Sequence, residues 1–246
     1  MTKIVILAAG KGTRMNTEMP KVLVPVCGKS IIQHLLDSVV DSKIDPKPMI
    51  IVSPENQGLI RQSLKDYNVE YTVQEQQLGT GHAASCAVNN IKDECSKVLI
   101  FNGDHPFIKA DTIKKLAAND SEITMLVAKS DNFSDWQKIF YHWGRIIRHG
   151  DQIRQIKEFK DSDEETKKIN EVNPAMYAFD FDWLKDNIGK ISTDNVQKEF
   201  YLTDLIGLAF EQKKNIDSIL VAPEEAIGIN SLEELEIAEK ILKKTE

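Results

Sequence analysis

Cysteine is scarce in this chain: Cys27, Cys86 and Cys95 are the three among 246 residues. An odd number without C-x-x-C spacing argues against a disulfide framework and a zinc knuckle, and it fits a reducing, cytoplasmic compartment. Basic charge is also in short supply, with 31 Lys and Arg against 38 Asp and Glu and a net charge of -7. A chain so balanced lacks the broad basic face that a nucleic-acid backbone requires, so any anion it binds is handled by a local cluster. No apolar run approaches the ~20 residues of a membrane span, and the run after Met1-Thr2-Lys3 is shorter than a signal-peptide core. The reading is of an untargeted chain without a membrane partner. No Gly/Pro/Ser-rich linker divides it. Two familiar phosphate signatures are missing as well. G-x-x-x-x-G-K-[ST] occurs nowhere, and G-x-G-x-x-G fails because Met15 stands where a third glycine would follow Gly10 and Gly12.

Apolar runs of strand length are present at 3–7, 49–52, 71–73, 97–101 and 123–127, each separated from the next by a segment of helical periodicity. That alternation predicts an α/β fold with a mainly parallel, doubly wound sheet. Ser30 with Gln33 forms a capping box before an apolar stripe, and Ser231 with Glu234 forms a second before Leu232, Leu235, Ala238 and Leu242. After Lys129 the pattern becomes α+β. "GRIIRHGDQIRQIKEF" alternates like a hairpin turning at His149-Gly150-Asp151, and "EVNPAMYAFDF" reads as one strand. The polar run 160–168 reads as a solvated loop. The expected organisation is a single domain over 1–246, with a nucleotide-binding part at about 1–129, a second part at about 130–230 and a closing helix at 231–244.

At the end of the first apolar run, "AAGKG" is a small-residue turn whose backbone N–H groups can form an anion-binding nest. Lys11, Arg14 and Lys21 place three cations close after Gly10, a cluster suited to a polyphosphate. The competing reading is a tight strand-to-helix turn with solvated basic residues. The fourth run stops at Asn102-Gly103, and Asp104 follows at the carboxyl end of the strand, where open α/β sheets bind ligands. Its carboxylate suits Mg²⁺, although Asn-Gly-Asp is also ordinary turn chemistry.

"LAAGKGTRM" with "MPKVLVPVCGKSIIQHLLD", "QEQQLGTGHA", "NGD", "GRI", "IKEFKD", "EVN", "YLTD" and "GIN" follow one another in order over nearly the whole chain. Together they resemble the uridylyltransferase domain of the bacterial bifunctional enzyme that makes UDP-N-acetylglucosamine, within the sugar-nucleotidyltransferase superfamily. The resemblance implies a Rossmann-like mixed sheet of the nucleotide-diphospho-sugar transferase type, with an α+β sugar-binding half. It implies nucleotidyl transfer from UTP to N-acetylglucosamine 1-phosphate, giving UDP-N-acetylglucosamine and pyrophosphate, with Mg²⁺ as cofactor, and it leaves the oligomeric state open.

Residue by residue, the resemblance implies that the backbone of Leu7, Ala8, Ala9 and Gly10 lies over the nucleotide, with Arg14 and Lys21 at the phosphates as catalytic cations. Gln74 would pair with uracil, Gly79 would sit beside the base, and Thr80 would stand in the catalytic pocket; a residue capping a helix is the other reading of Thr80. Asn102 and Gly103 complete the nucleotide site. Asp104 and Asn230 would hold the metal, while Gly144, Glu158 and Asn173 would hold the sugar. No histidine is required: His82 and His105 read as structural neighbours, and His34 lies on an amphipathic helix. The sequence departs from the family in two places. It stops at Glu246 without the hexapeptide repeats that carry acetyl transfer, so acetyl transfer is not expected. It also reads Asn173-Pro174-Ala175 where a small residue and a glycine are common, which bears on the choice of sugar. Rival readings are a thymidylyl- or cytidylyltransferase for another sugar phosphate and a non-catalytic nucleotide-binding regulator.

Overall fold

The computed structural model describes residues 1–10, 12, 15, 19–92 and 94–245. Strand β1 (Thr2–Leu7) is followed by a small ribbon, β2 (Pro25–Val26) and β3 (Lys29–Ser30), then by β4 (Met49–Val52), β5 (Glu70–Val73), β6 (Lys97–Asn102) and β7 (Ile123–Lys129). The five apolar runs are thus strands, and the segments between them carry helices α1 (Ile31–Ser42), α2 (Gln57–Ser63), α3 (Thr80–Val88) and α4 (Ala110–Ala118). The first helix starts where its capping box places it: the Ser30 N–H donates to Gln33 Oε1 at 3.0 Å.

The second half contributes β8 (Arg145–His149), β9 (Gln152–Lys157), β10 (Glu171–Val172), β11 (Tyr177–Asp180) and β12 (Ile216–Val221), with helices α5 (Glu164–Lys167), α6 (Phe181–Asn187), α7 (Asp204–Glu211), α8 (Pro223–Ala226) and α9 (Leu232–Thr245). β5, β4, β1 and β6 pair in parallel in that order. β11 then lies antiparallel between β6 and β7, and β12 runs parallel along the far edge of β7. The sheet is therefore mixed and doubly wound. Ile4 and Ile6 point into one apolar layer and Val5 into the other, as the two-residue period of a strand covered on both faces demands.

Three local expectations need correction. "EVNPAMYAFDF" is two strands, β10 and β11, because Pro174 has no N–H for a ladder and Ala175 takes a left-handed φ of 55°. The polar run 160–168 contains the one-turn helix α5, whose start is capped by Asp163 Oδ1 accepting from the Thr166 N–H at 2.7 Å. At α9, Ser231 Oγ accepts from the Glu234 N–H at 3.2 Å, but the Glu234 carboxylate accepts from the Asn230 N–H, one residue earlier than a regular capping box. Among the described residues, no helix is long and apolar enough to cross a membrane.

Candidate active site

Two adjoining cavities open at the carboxyl ends of β1 and β6, where a topological switch in an open sheet leaves a crevice. The larger, about 550 Å³, is bordered by Leu7 at the end of β1 and Ala8, Ala9 and Gly10 in the turn after it, by Gln74 and Gly79 from the loop between β5 and α3, by Thr80 at the start of α3, and by Lys21. The smaller, about 240 Å³, is bordered by Gly144, Glu158 and Asn173 together with Trp143, Pro174 and Tyr177. Thr80, Asn102, Asp104, Glu199 and Asn230 border both and form the wall where they meet. The structure therefore gathers residues spread from the seventh position to the 230th. Gly103 lines neither cavity; its N–H donates to Leu7 O at 2.9 Å and ties β6 to β1 behind the wall. Lys11 and Arg14 lie outside the described residues.

At the shared wall the Lys21 ammonium donates to Asp104 Oδ2 at 2.5 Å and to Asn230 Oδ1 at 2.8 Å. The other carboxylate oxygen, Asp104 Oδ1, lies 2.8 Å from His105 Nδ1. Burial alone would push the Asp104 carboxyl up, but the Lys21 ammonium and His105 outweigh it and hold the group well below the usual carboxylate range. The side chain is thus an anion in a site with little solvent. Two oxygens brought together from the turn after β6 and from the turn before α9 converge on a single cation, here the ammonium.

Thr80 is the first residue of α3 and does not cap it: Gly79 is the N-cap. Thr80 Oγ1 instead accepts from the Leu202 N–H at 3.1 Å, tying the helix start to the "YLTD" segment. The positive φ of Gly79, 112°, and the 2.5 Å that would separate an added Cβ from Phe200 O admit only glycine there. Gln74 is buried at the end of β5, and its amide nitrogen lies 3.2 Å from Gly79 O and 2.9 Å from His82 Nδ1.

In the smaller cavity burial pushes the Glu158 carboxyl up. The hydroxyl of Thr203, donating to Glu158 Oε1 at 3.1 Å, opposes this, while the charges of Asp161 and Asp204 add to the rise. Asp204 is itself pushed up to about 6, by burial and then by Asp161. Asn173 is held by its own neighbours: Oδ1 accepts from the Ala175 N–H at 2.9 Å and Nδ2 donates to Tyr177 Oη at 2.7 Å. Trp143 and Gly144 are set by Arg145, which is fully buried and donates to the carbonyls of Phe140, Tyr141, Trp143 and Lys167. Its guanidinium lies 4.7 Å from the Phe133 ring centre. Sequence reasoning misses Tyr177, Thr203, Glu199 and Trp143, and it reads His105 only as a structural neighbour, whereas all five border the smaller cavity. "YLTD" contains Thr203, and "GRI" and "NGD" adjoin Trp143 and His105, but Glu199 and Tyr177 lie outside these motifs.

The chain is 41% identical over 244 residues to the bifunctional protein GlmU of Clostridium beijerinckii, covering 97% of this chain and 51% of that protein. It is 37% identical over 243 residues to the protein of that name from Clostridium perfringens, covering 97% of this chain and 52% of the other. The chain thus spans about half the length of the curated relatives it matches. Among solved structures, a putative glucose-1-phosphate thymidylyltransferase from Bacillus anthracis superposes with a TM-score of 0.76 at 17% identity, over 98% of this chain and 95% of that one. A 4-diphosphocytidyl-2C-methyl-D-erythritol synthase from Anaerococcus prevotii does so at 0.69 and 16% identity, over 99% and 98%. Those two likenesses establish the fold. Residues 4–168 match the MobA-like NTP transferase domain, a span that includes the β1 turn, Lys21, Gln74 and Asp104, and the chain accordingly belongs to the family of nucleotidyltransferases that domain defines.

Proposed function

We propose that this chain transfers a uridylyl group from UTP to N-acetylglucosamine 1-phosphate, forming UDP-N-acetylglucosamine and releasing pyrophosphate. The observation that carries the reading is the pair of cavities meeting at a wall that holds Asp104 and Asn230, with Lys21 bonded to both. A nucleotide in the larger cavity and a sugar phosphate in the smaller would bring their phosphates together at that wall. The likeness to the bifunctional GlmU proteins over nearly all of this chain supports the choice of substrates.

In this reading an oxygen of the sugar 1-phosphate attacks the α-phosphorus of UTP in line with the departing pyrophosphate. Both reactants are charged phosphates, so no protein nucleophile is needed, and the work lies in positioning and charge neutralisation. Lys21 and Arg14 serve the phosphates, with Thr80 and Asn102 beside them. The backbone from Leu7 to Gly10 lies against the nucleotide, and Gln74 and Gly79 meet the base. Gly144, Glu158 and Asn173 hold the sugar, Glu158 as an acceptor for hydroxyls. The oxygens of Asp104 and Asn230, which already converge on a cation, fit a hard divalent ion such as Mg²⁺. That ion, when bound, supplies charge stabilisation to the phosphate oxygens.

The test is pyrophosphate release over a grid of UTP, CTP, dTTP, ATP and GTP against N-acetylglucosamine 1-phosphate and glucose 1-phosphate, with Mg²⁺ and with chelator. UTP with N-acetylglucosamine 1-phosphate should lead, and chelator should abolish it. Equal use of all nucleotides, or full activity in chelator, overturns the reading.

A further inference from the structure

We infer that His82 selects the pyrimidine, by fixing which end of the Gln74 amide faces the nucleotide cavity. The inference rests on the uridylyl-transfer reading and adds to it a residue that touches no substrate. Gln74 sits at the end of β5, its backbone N–H held by Val52 O at 2.8 Å and its side chain at the cavity wall. The amide nitrogen lies 3.2 Å from Gly79 O. A carbonyl can only accept, so the nitrogen end of the amide faces Gly79 and the oxygen end faces away. The same nitrogen lies 2.9 Å from His82 Nδ1. It brings a hydrogen to that contact, so Nδ1 is the acceptor and the imidazole carries its proton on Nε2.

Both hydrogens of the amide are therefore taken up by the protein. Among the described residues Gln74 Oε1 accepts no hydrogen bond, and it is not one of the sealed, unpartnered polar atoms of the core. What Gln74 presents to a base is an acceptor alone. Uracil offers N3–H to such an atom, whereas cytosine offers a lone pair at N3, and two acceptors facing each other repel. His82 lines neither cavity; it stands in the first turn of α3, its ring 6.4 Å from that of Phe200 between centres. Its influence on the base passes through Gln74, which makes it a positioning residue. Without the imidazole acceptor the amide keeps one bond, to Gly79, and gains freedom to turn its NH₂ toward the cavity.

The experiment compares kcat/KM for UTP and CTP, with N-acetylglucosamine 1-phosphate as acceptor, in the natural chain, His82→Leu, His82→Asn, Gln74→Leu and the double variant His82→Leu/Gln74→Leu. His82→Leu should lower the UTP/CTP ratio by about tenfold or more, mainly through KM for UTP, since a site built to pair a polar group discriminates by leaving it unpaired. KM for the sugar phosphate should stay within about twofold, because the change is confined to the contact with the base. His82→Asn places an acceptor where Nδ1 was and should restore the preference. Adding His82→Leu to Gln74→Leu should move the ratio no further, as expected of residues acting as one unit. A natural chain that does not prefer UTP overturns the uridylyl reading and this inference together. A natural chain that prefers UTP while folded His82→Leu keeps the ratio, or loses kcat equally with both nucleotides, overturns the inference alone. If His82→Leu does not fold, ¹⁵N NMR of the natural chain decides: an Nε2–H tautomer at His82 supports the inference, and an Nδ1–H tautomer overturns it.

Discussion

Gly10 and Gly12 share one loop, yet the protein constrains them differently. An added Cβ at Gly12 would lie 2.6 Å from Lys21 Cβ, and its φ is 61°, whereas an added Cβ at Gly10 meets nothing within 4 Å. Gly12→Ala should therefore cost about 1–3 kcal/mol of stability in urea unfolding. Gly10→Ala should leave stability within about 0.5 kcal/mol and raise KM for UTP about tenfold, because the methyl intrudes only on a ligand lying against the turn. Unchanged KM in Gly10→Ala would remove the nucleotide from that turn. Asp104→Asn takes away the carboxylate that Lys21 and His105 share. It should slow turnover by about a thousandfold or more while the circular dichroism spectrum stays that of the natural chain; near-normal rate at saturating Mg²⁺ would reduce Asp104 to a turn residue. Glu158 in the smaller cavity and the acid coupled to it, Asp204, give a pH dependence. Glu158 has a raised pKa, part of the rise comes from Asp204, and Asp204 itself is pushed up to about 6. A raised carboxyl protonates early as pH falls, so binding that uses the Glu158 anion weakens at a higher pH than an ordinary carboxylate would set. Asp204→Asn should shift the acid limb of kcat/KM for the sugar phosphate to lower pH, and the substrate's own titration cancels in the comparison. A shift to higher pH, or none, would deny the coupling between the two acids.

Between β10 and β11 the chain breaks its ladder at Asn173-Pro174-Ala175, and that break is part of the smaller cavity's wall. The bond from the Ala175 N–H to Asn173 Oδ1 stabilises the turn, and the left-handed φ of 55° at Ala175 works against it. A glycine adopts that conformation without strain, so Ala175→Gly should raise stability by about 1 kcal/mol, read as a shift in the urea midpoint at constant slope. Pro174→Thr with Ala175→Gly should also alter the ratio of kcat/KM between N-acetylglucosamine 1-phosphate and glucose 1-phosphate by about ten- to two-hundredfold, the worth of one buried contact. An unchanged ratio would make the departure a neutral one. Periodicity read this segment as one strand because its side chains do alternate. What it could not register was the shift against β7, where Val172 pairs with Ala128 and Tyr177 with Met125 so that four residues face two, which depends on the partner strand. The element that holds Trp143 and Gly144 was hidden for a related reason. Nothing local to "GRI" marks Arg145 for burial, and only the folded chain surrounds it with four carbonyl groups and the ring of Phe133.

Across the whole molecule, β11 stands between β6 and β7, so the first half cannot close its own sheet. A fragment of residues 1–129 leaves the facing edges of β6 and β7 unpaired, and exposed apolar strand edges aggregate. It should elute as aggregate in size-exclusion chromatography and unfold without a cooperative transition, whereas the full chain unfolds in one. A monomeric, cooperatively folding fragment would show that the halves are separable. The sequence by itself determined whatever depends on neighbours along the chain. The five parallel-type strands and their intervening helices follow from apolar period and length, the start of α1 from Ser30 and Gln33, and the hairpin from the turn at Gly150. It also carried, through the order of its motifs, the membership now supported by the match over residues 4–168. Tertiary structure alone decided the rest: that β11 enters the middle of the sheet, that Asp104 and Asn230 converge on Lys21, that Gly103 stands behind the wall, and that His82 reaches Gln74. Pairing order and side-chain meeting points are set by which surfaces bury each other, a property of distant segments that no local window of sequence contains.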